Sequence, residues 1–383
     1  MQNREGNIME QKNVKKLGFG LMRLPLTNPD EPTSIDLEQT KQMVDEFIAQ
    51  GFTYFDTAWM YCGFKSENAV KQVLIDRHPR DSFTLATKLH AGFIKTKEDR
   101  DRVFEEQRKK TGATYFDYYL LHDLTEEHYK VYTELDCFAW LAEKKRQGLV
   151  RHMGFSFHDK AALLDQVLTA HPEVEFVQLQ LNYLDWDSEA VQSRLCYEVA
   201  TKHGKPVIVM EPVKGGTLAN VPDSVRALFQ NCDPAMSVSS WAIRFAAGLD
   251  NVMMVLSGMS NLEQLRDNTS YMKNFVPLTP VEQQAVARAA DLINGRIAIP
   301  CTGCAYCVDG CPRGIAIPQY FALYNAAQQA ADKNTAPQRE AYDRLTQTFG
   351  KASACIACRQ CERACPQHLP IVENLKKVAA QFE

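Results

Sequence analysis

From about residue 18 to residue 275, short apolar runs alternate with longer stretches of helical periodicity. The apolar runs are GFGLMRL (18–24), TYFDTA (53–58), FTLATKL (83–89), DYYLLH (117–122), VRHMGFS (150–156), EFVQLQL (175–181), PVIVMEP (206–212) and NVMMVLS (251–257). Each is short and rich in strand-forming residues. Between the first two, the stretch 36–50 places Leu37, Thr40, Val44, Phe47 and Ile48 on one helical face, and Gly51 follows as a stop. Segments 66–77, 97–110, 127–147, 159–169, 188–203, 236–247 and 261–273 behave similarly. Strand–helix units joined by short connections predict an α/β chain, either a closed (β/α)8 TIM barrel of ~250 residues or a doubly wound open sheet. The number of units favours the barrel.

After about 275 the alternation stops. A helix over 280–294, begun by Pro280, leads into a cysteine-rich run, and helical stretches follow near 318–331 and 337–349. A second cysteine-rich run and a short terminal helix complete the chain. The pattern divides it into a barrel domain (1–296) and a small α-helical module (297–383) that repeats itself weakly.

The two runs are CTGCAYCVDGCPRG (301–314) and CIACRQCERACPQH (355–368), each C-x2-C-x2-C-x3-C-P. Three thiolates within seven residues can converge on one iron–sulfur cube, while the fourth, before proline, reaches across to the other cube. Cys301, Cys304, Cys307 and Cys365 are therefore expected to hold one 4Fe–4S cluster, and Cys355, Cys358, Cys361 and Cys311 a second. A pair of zinc sites would also use C-x2-C pairs, but it has no need of a third cysteine followed by C-P. The module is expected to be ferredoxin-like, with a longer gap between its runs than a compact ferredoxin has.

Composition narrows the setting. A length of 383 residues suits two or three units. A net charge of -4 favours neither nucleic acid nor an anionic membrane as partner. No run approaches the ~20 apolar residues that span a bilayer. The polar opening MQNREGNIMEQKN has no apolar core of a secretory signal. The other four of the twelve cysteines, Cys62, Cys137, Cys196 and Cys232, are scattered singly. Reduced thiols and a cytoplasmic location are expected.

Strand C-termini of a barrel converge on one rim. Asp56 and Tyr61 stand just past the second predicted strand, Lys88 ends the third and His122 the fourth. Taken singly, a lysine or histidine there is more often structural. Together they form a proton donor. A phenol has a reference pKa near ~10, and a neighbouring ammonium favours the phenolate and lowers that value. Asp56 is expected to keep Lys88 charged, and His122 to orient the tyrosine or bond to a carbonyl oxygen.

The stretches FDTAWMYCGFKSENAVKQVL, LLHDL, GFSFHD and GMSNLEQLRDN, with the strand-end Lys88, resemble the aldo/keto reductase superfamily over most of 17–275. With its tail, the chain is similar to the iron–sulfur branch of that superfamily. The resemblance implies NAD(P)H-dependent reduction of a small carbonyl-type substrate, with Tyr61 as acid. It implies that Ser156 and Gln178 bind the nicotinamide carboxamide, although Phe157 stands where an asparagine is usual. Met210 occupies the place of a stacking aromatic ring and packs with less geometric control. Glu211, Pro212, Lys214 and Gly216, in EPVKGG, are expected to hold the pyrophosphate. Ser257, Gly258, Ser260, Gln264 and Asn268 fall at the adenosine end. Gly258 and Gln264 take positions that often carry cations for a 2′-phosphate, which leaves NAD and NADP both open.

Gly18 and Gly20 begin like a dinucleotide fingerprint, but Arg23 replaces its last glycine and no helix follows. Trp59, Phe93, Tyr183 and Trp186 are candidates for a substrate pocket above the rim, and Cys62 for simple packing. Direct hydride transfer needs no iron, so the clusters imply coupling to single electrons and a ferredoxin- or flavodoxin-type partner. The alternatives are a nicotinamide-independent reductase fed by such electrons, or a non-catalytic redox or oxygen sensor.

Overall fold

The computed structural model describes residues 15–295, 298–329 and 335–383. Its strands are β1 (Leu17–Gly20), β2 (Tyr54–Asp56), β3 (Thr84–His90), β4 (Phe116–Leu124), β5 (Val150–Phe157), β6 (Phe176–Gln180), β7 (Val207–Met210) and β8 (Val252–Ser257). All pair in parallel, in chain order, and β1 closes onto β8. The open-sheet alternative is therefore excluded. Each strand coincides with one of the apolar runs.

The period of two along a strand decides what enters the barrel. Tyr54, Ala86, Leu120, Phe176, Ile208 and Met254 share a core cluster distinct from the layer between strands and helices. Two residues further along the same strands stand Asp56, Lys88, His122, Gln178, Met210 and Leu256. An apolar plug thus carries a layer of mostly polar groups on its C-terminal side.

The helices depart from expectation in two places. The stretch 127–147 is broken by Asp136, whose φ of 51° ends one helix (Glu126–Glu134) before the next begins (Cys137–Arg146). A helix not anticipated, Asp223–Cys232, follows β7 and stacks Phe229 on Trp241 with ring centroids 4.5 Å apart. It packs against the helix Pro280–Asn294, so that segment belongs to the barrel's flank.

The tail has its own core, in which Ile315, Ile317, Tyr320, Phe321, Tyr342, Ile371, Leu375 and Phe382 surround Cys307, Cys361 and Cys365. Helices Ile317–Gln329, Ala336–Leu345 and Ile371–Phe382 supply most of it. The end of the expected stretch 318–331 and the domain division at 296/297 lie outside the described residues. The tail sits over the strand C-termini. Gly215, in the turn after β7, has φ +63°, and a Cβ there would lie 2.1 Å from the Thr302 carbonyl oxygen. Only glycine allows the cysteine loop to come so close. No helix among the described residues is long and apolar enough to cross a membrane.

Candidate active site

Lys88 Nζ donates to Asp56 Oδ1 at 2.5 Å and to the Thr57 carbonyl at 2.8 Å, and both side chains are fully enclosed. The ammonium lies over the Tyr61 ring, 5.0 Å from its centroid. The Tyr61 ring stands edge-on to His122, with centroids 5.9 Å apart. Tyr61 opens a tight turn in which Cys62, Gly63 and Phe64 all adopt positive φ. The four residues expected to meet at the rim do meet there.

Their electrostatics differ from expectation. Burial raises the Tyr61 pKa well above its ordinary value, and Tyr306, Asp56, Glu211 and Asp123 add to the rise. Lys88 does not offset that rise. The amine's hydrogen bonds go to Asp56 and Thr57, and no hydrogen bond joins it to the phenol among the described residues. Tyr61 is therefore fully protonated at neutral pH. Burial likewise depresses the His122 pKa, with His90 and Lys88 adding to the effect, so its imidazole is neutral. Its Nδ1 is buried without a partner.

These groups line one end of a cleft of about 420 Å³. Ser156, Gln178, Met210, Glu211, Pro212, Gly216, Ser257, Gly258, Ser260, Gln264 and Asn268 line the remainder, so all but one of the nucleotide-site residues inferred from the sequence are gathered there. The exception is Lys214. It is buried away from the cleft, paired with Asp185 at 2.5 Å and donating to Gln367 at 2.8 Å, and is withheld from any pyrophosphate. Gln178 Oε1 is buried and unpartnered, an acceptor suited to a carboxamide N–H₂. Ser156 Oγ accepts from the Asp123 amide at 2.8 Å, and its own hydrogen stays free to donate. At the far end, Gln264 accepts from the Ser260 amide and Asn268 donates to Ser257, so part of their capacity is used internally.

Two cleft residues were not singled out from the sequence as site residues. Arg23, which breaks the glycine fingerprint, lines the cleft with an unpartnered, buried Nη2. Its charge acts on Glu211, whose Oε2 is buried without a partner. Tyr306, between the second and third cysteines of the first run, enters the cavity beside Tyr61 together with Cys304. The aromatics proposed for the pocket lie elsewhere. Trp59 and Phe93 pack on Phe64, while Tyr183 and Trp186 pack on Phe245. Cys62 Sγ faces the carbonyl of Met22 at 3.5 Å, a packing role.

Behind His122, ligand atoms of His90, Asp123 and His128 lie within 4.8 Å of one another. Their hydrogen bonds argue against a metal there. His90 Nδ1 accepts from Gly92, which leaves its hydrogen on Nε2, and His128 Nδ1 donates to the Asp123 carbonyl. Both rings present N–H toward the carboxylate, each 3.5 Å from Oδ2. Burial alone would raise the Asp123 pKa, but His158, His90 and His128 hold it well below the usual range.

The cysteines form two groups. Cys301, Cys304 and Cys307 each sense the charge of Cys365, and Cys361 senses Cys355 and Cys311. Cys311, Cys355, Cys358 and Cys361 line one small cavity. The fourth cysteine of each run thus crosses to the other set. A zinc ion would draw its sulfurs to within ~4 Å of one another at Zn–S ≈ 2.3 Å. Among the described residues no three of these sulfurs lie within 4.8 Å. That is too open for one tetrahedral zinc ion.

A parallel barrel with a polar tetrad at its rim and a module of ferredoxin-spaced cysteines over its mouth fits an oxidoreductase. Residues 16–291 match the aldo/keto reductase family, to which this chain belongs, and residues 300–370 match a 4Fe-4S dicluster domain. An uncharacterized oxidoreductase of Schizosaccharomyces pombe is 25% identical over 67% of this chain and 80% of its own. The uncharacterized oxidoreductase YqkF of Bacillus subtilis is 23% identical over 67% and 86%. An aldo-keto reductase from Bacillus halodurans, in its holo form, superposes with a TM-score of 0.57 at 22% identity, over 72% of this chain and 92% of that one. One from Klebsiella pneumoniae, solved in complex with NADPH, gives 0.56 at 18% identity, over 72% and 90%.

Proposed function

We propose that the protein reduces a small carbonyl-type substrate with NAD(P)H, using Tyr61 as proton donor, and that this chemistry is coupled to electron transfer through two 4Fe–4S clusters. One observation carries the proposal. A single cleft joins Tyr61, Lys88 and His122 to the free acceptor of Gln178, and Cys304 forms part of its wall. The nicotinamide, when bound, would supply hydride, which carries both electrons of the carbonyl reduction, and the clusters would exchange single electrons between the nicotinamide and a ferredoxin- or flavodoxin-type carrier. Gln178 and Ser156 would orient the carboxamide, and Phe157 contributes no hydrogen bond to it. Tyr61 gives its hydroxyl proton to the substrate oxygen as that oxygen gains charge. His122, neutral, shares the oxygen by hydrogen bonding. Lys88, held by Asp56 and the Thr57 carbonyl, lies over the Tyr61 ring and keeps it in place. The NADPH complex of the Klebsiella relative supports nicotinamide use.

The test is anaerobic stopped-flow mixing of the iron-loaded protein with NADH or NADPH and a panel of aldehydes and ketones. Loss of nicotinamide absorbance is expected, together with a change in the cluster absorbance. If neither occurs, the proposal fails. The retention of Lys214 by Asp185 and Gln367 favours a second reading, in which ferredoxin- or flavodoxin-type electrons replace the nicotinamide. Calorimetric titration separates the two, because micromolar nucleotide binding excludes the second.

A further inference from the structure

Lys214 and Gln367 tie the barrel to the second cysteine run, and neither takes part in the proton chemistry of the cleft. An ammonium has three hydrogens and no lone pair. Lys214 directs two at Asp185, at 2.5 and 2.6 Å, and one at Gln367 Oε1, at 2.8 Å. Because lysine can only donate, the amide oxygen of Gln367 must face it and the amide nitrogen must turn away. That nitrogen is buried and has no partner. An orphaned buried donor is destabilising, so an acceptor is called for.

The chemistry gathered around it is sulfur. Gln367 follows Cys365 by two residues and lines the cleft together with Cys304. The Lys214 charge reaches Cys301 and Cys365. Asp185 does not stand alone against that charge, since it also accepts from Asn182 at 2.8 Å and Gln180 at 3.4 Å. In the first run the equivalent position, two residues past the cysteine before proline, is Arg313, which is exposed. There the charge is screened by water.

We propose that Gln367 donates an N–H···S hydrogen bond to the cluster held by Cys301, Cys304, Cys307 and Cys365. With Lys214 as its positioning residue, it raises that cluster's potential above that of the other. Donors to the sulfurs and nearby positive charge both favour the reduced, more negative state. Electrons then rest on the cluster beside the cleft. The proposal deepens the function proposed above and rests on its assignment of clusters to these cysteines.

The experiment is a potentiometric titration of the full-length, anaerobically purified protein, followed by electron paramagnetic resonance. Gln367→Glu keeps the lysine contact and removes the donor. Lys214→Met removes the charge, and Lys214→Met with Asp185→Leu avoids leaving a buried unpaired carboxylate. In Gln367→Glu and Lys214→Met, one of two midpoints is expected to fall while the other stays. Pulsed resonance on protein labelled with glutamine carrying ¹⁵N in its side-chain amide alone is expected to show a nitrogen coupling that Gln367→Glu abolishes, since the backbone N–H of Gln367 also reaches Cys365. Unchanged midpoints with full iron content, a fall of both midpoints together, or a coupling absent from the labelled wild type overturns the proposal. Absence of any cluster signal from the wild type would instead defeat the cluster assignment itself.

Discussion

The two cysteine sets share a spacing and one apolar core, and differ in what lies on their outer sides. Cys304 opens onto the cleft and Cys307 and Cys365 are buried, whereas in the other set Cys358 is exposed and Ile356 beside it is 53% exposed. Arg313 and Arg359 border that second set. Ligand spacing specifies what is bound, while the neighbours determine what the bound group can reach. The inner set shares the cleft with Tyr61, and the outer set meets solvent at Cys358 and Ile356. The same motif therefore has an inward and an outward end.

The strongest way to separate the barrel's chemistry from the tail is Tyr61→Phe. The ring keeps its place against His122, but the transferable proton is gone. Carbonyl turnover is expected to fall at least ~10²-fold, the usual contribution of a positioned general acid. Both cluster signals and both midpoints should survive. Loss of turnover with loss of iron would mean that the tyrosine is part of the tail's scaffold.

Next in size is a matched pair of serine substitutions. Cys304→Ser disturbs the inner set and one wall of the cleft, so nucleotide affinity should weaken by about 10-fold, or ~1.4 kcal/mol. Cys358→Ser should cost the outer set its redox signal and leave nucleotide affinity alone. Equal effects of the two on calorimetric binding would erase the distinction between an inward and an outward end.

How much of this was legible beforehand depends on the range of the interaction. Strand positions follow from local apolar runs, and the period of two carries Asp56, Lys88 and His122 to one inner layer without tertiary knowledge. The cysteine sets follow from spacing. Arg23 escapes a local reading because it packs against Gly258 across the β1–β8 closure, and Tyr306 because its place depends on the tail folding back over the rim, a contact between segments hundreds of residues apart in sequence. Lys214 was misread for the same reason. A lysine in a glycine-containing turn after β7 reads as a phosphate ligand until Asp185 and Gln367 are seen to hold it. The helix Asp223–Cys232 had no slot in an alternation of eight units. The electrostatic error at Tyr61 has a different origin. Proximity to an ammonium was legible, but the burial that outweighs it was not.

That error yields a sharper test of the inner end. An acid works while protonated, so activity is lost as pH rises through its pKa. With the Tyr61 pKa raised by burial, the alkaline limb of kcat/KM should lie above ~10, the ordinary phenol value. Across neutral pH the profile should be flat with respect to this group. An alkaline limb near neutrality would mean that nucleotide binding swings Lys88 onto the phenol. The Lys88–Asp56 contact would then have to loosen in the complex.

The smallest expected effect lies at the outer end. Ile356→Ser removes an exposed apolar side chain beside Cys358 and changes no charge, ligand or buried contact of the barrel. Reduction of a carbonyl by NAD(P)H should be unchanged. Electron exchange with a reduced ferredoxin or flavodoxin should slow a few-fold, because an apolar residue at the centre of a small docking face loses its desolvation gain, about 1 kcal/mol. Rapid mixing of each carrier with wild type and variant measures this directly. If exchange slows equally for a small soluble viologen, which needs no docking face, the residue acts on the cluster and not on the partner. If neither rate changes, Ile356 contributes nothing to the outward end, and electrons enter by another face of the tail.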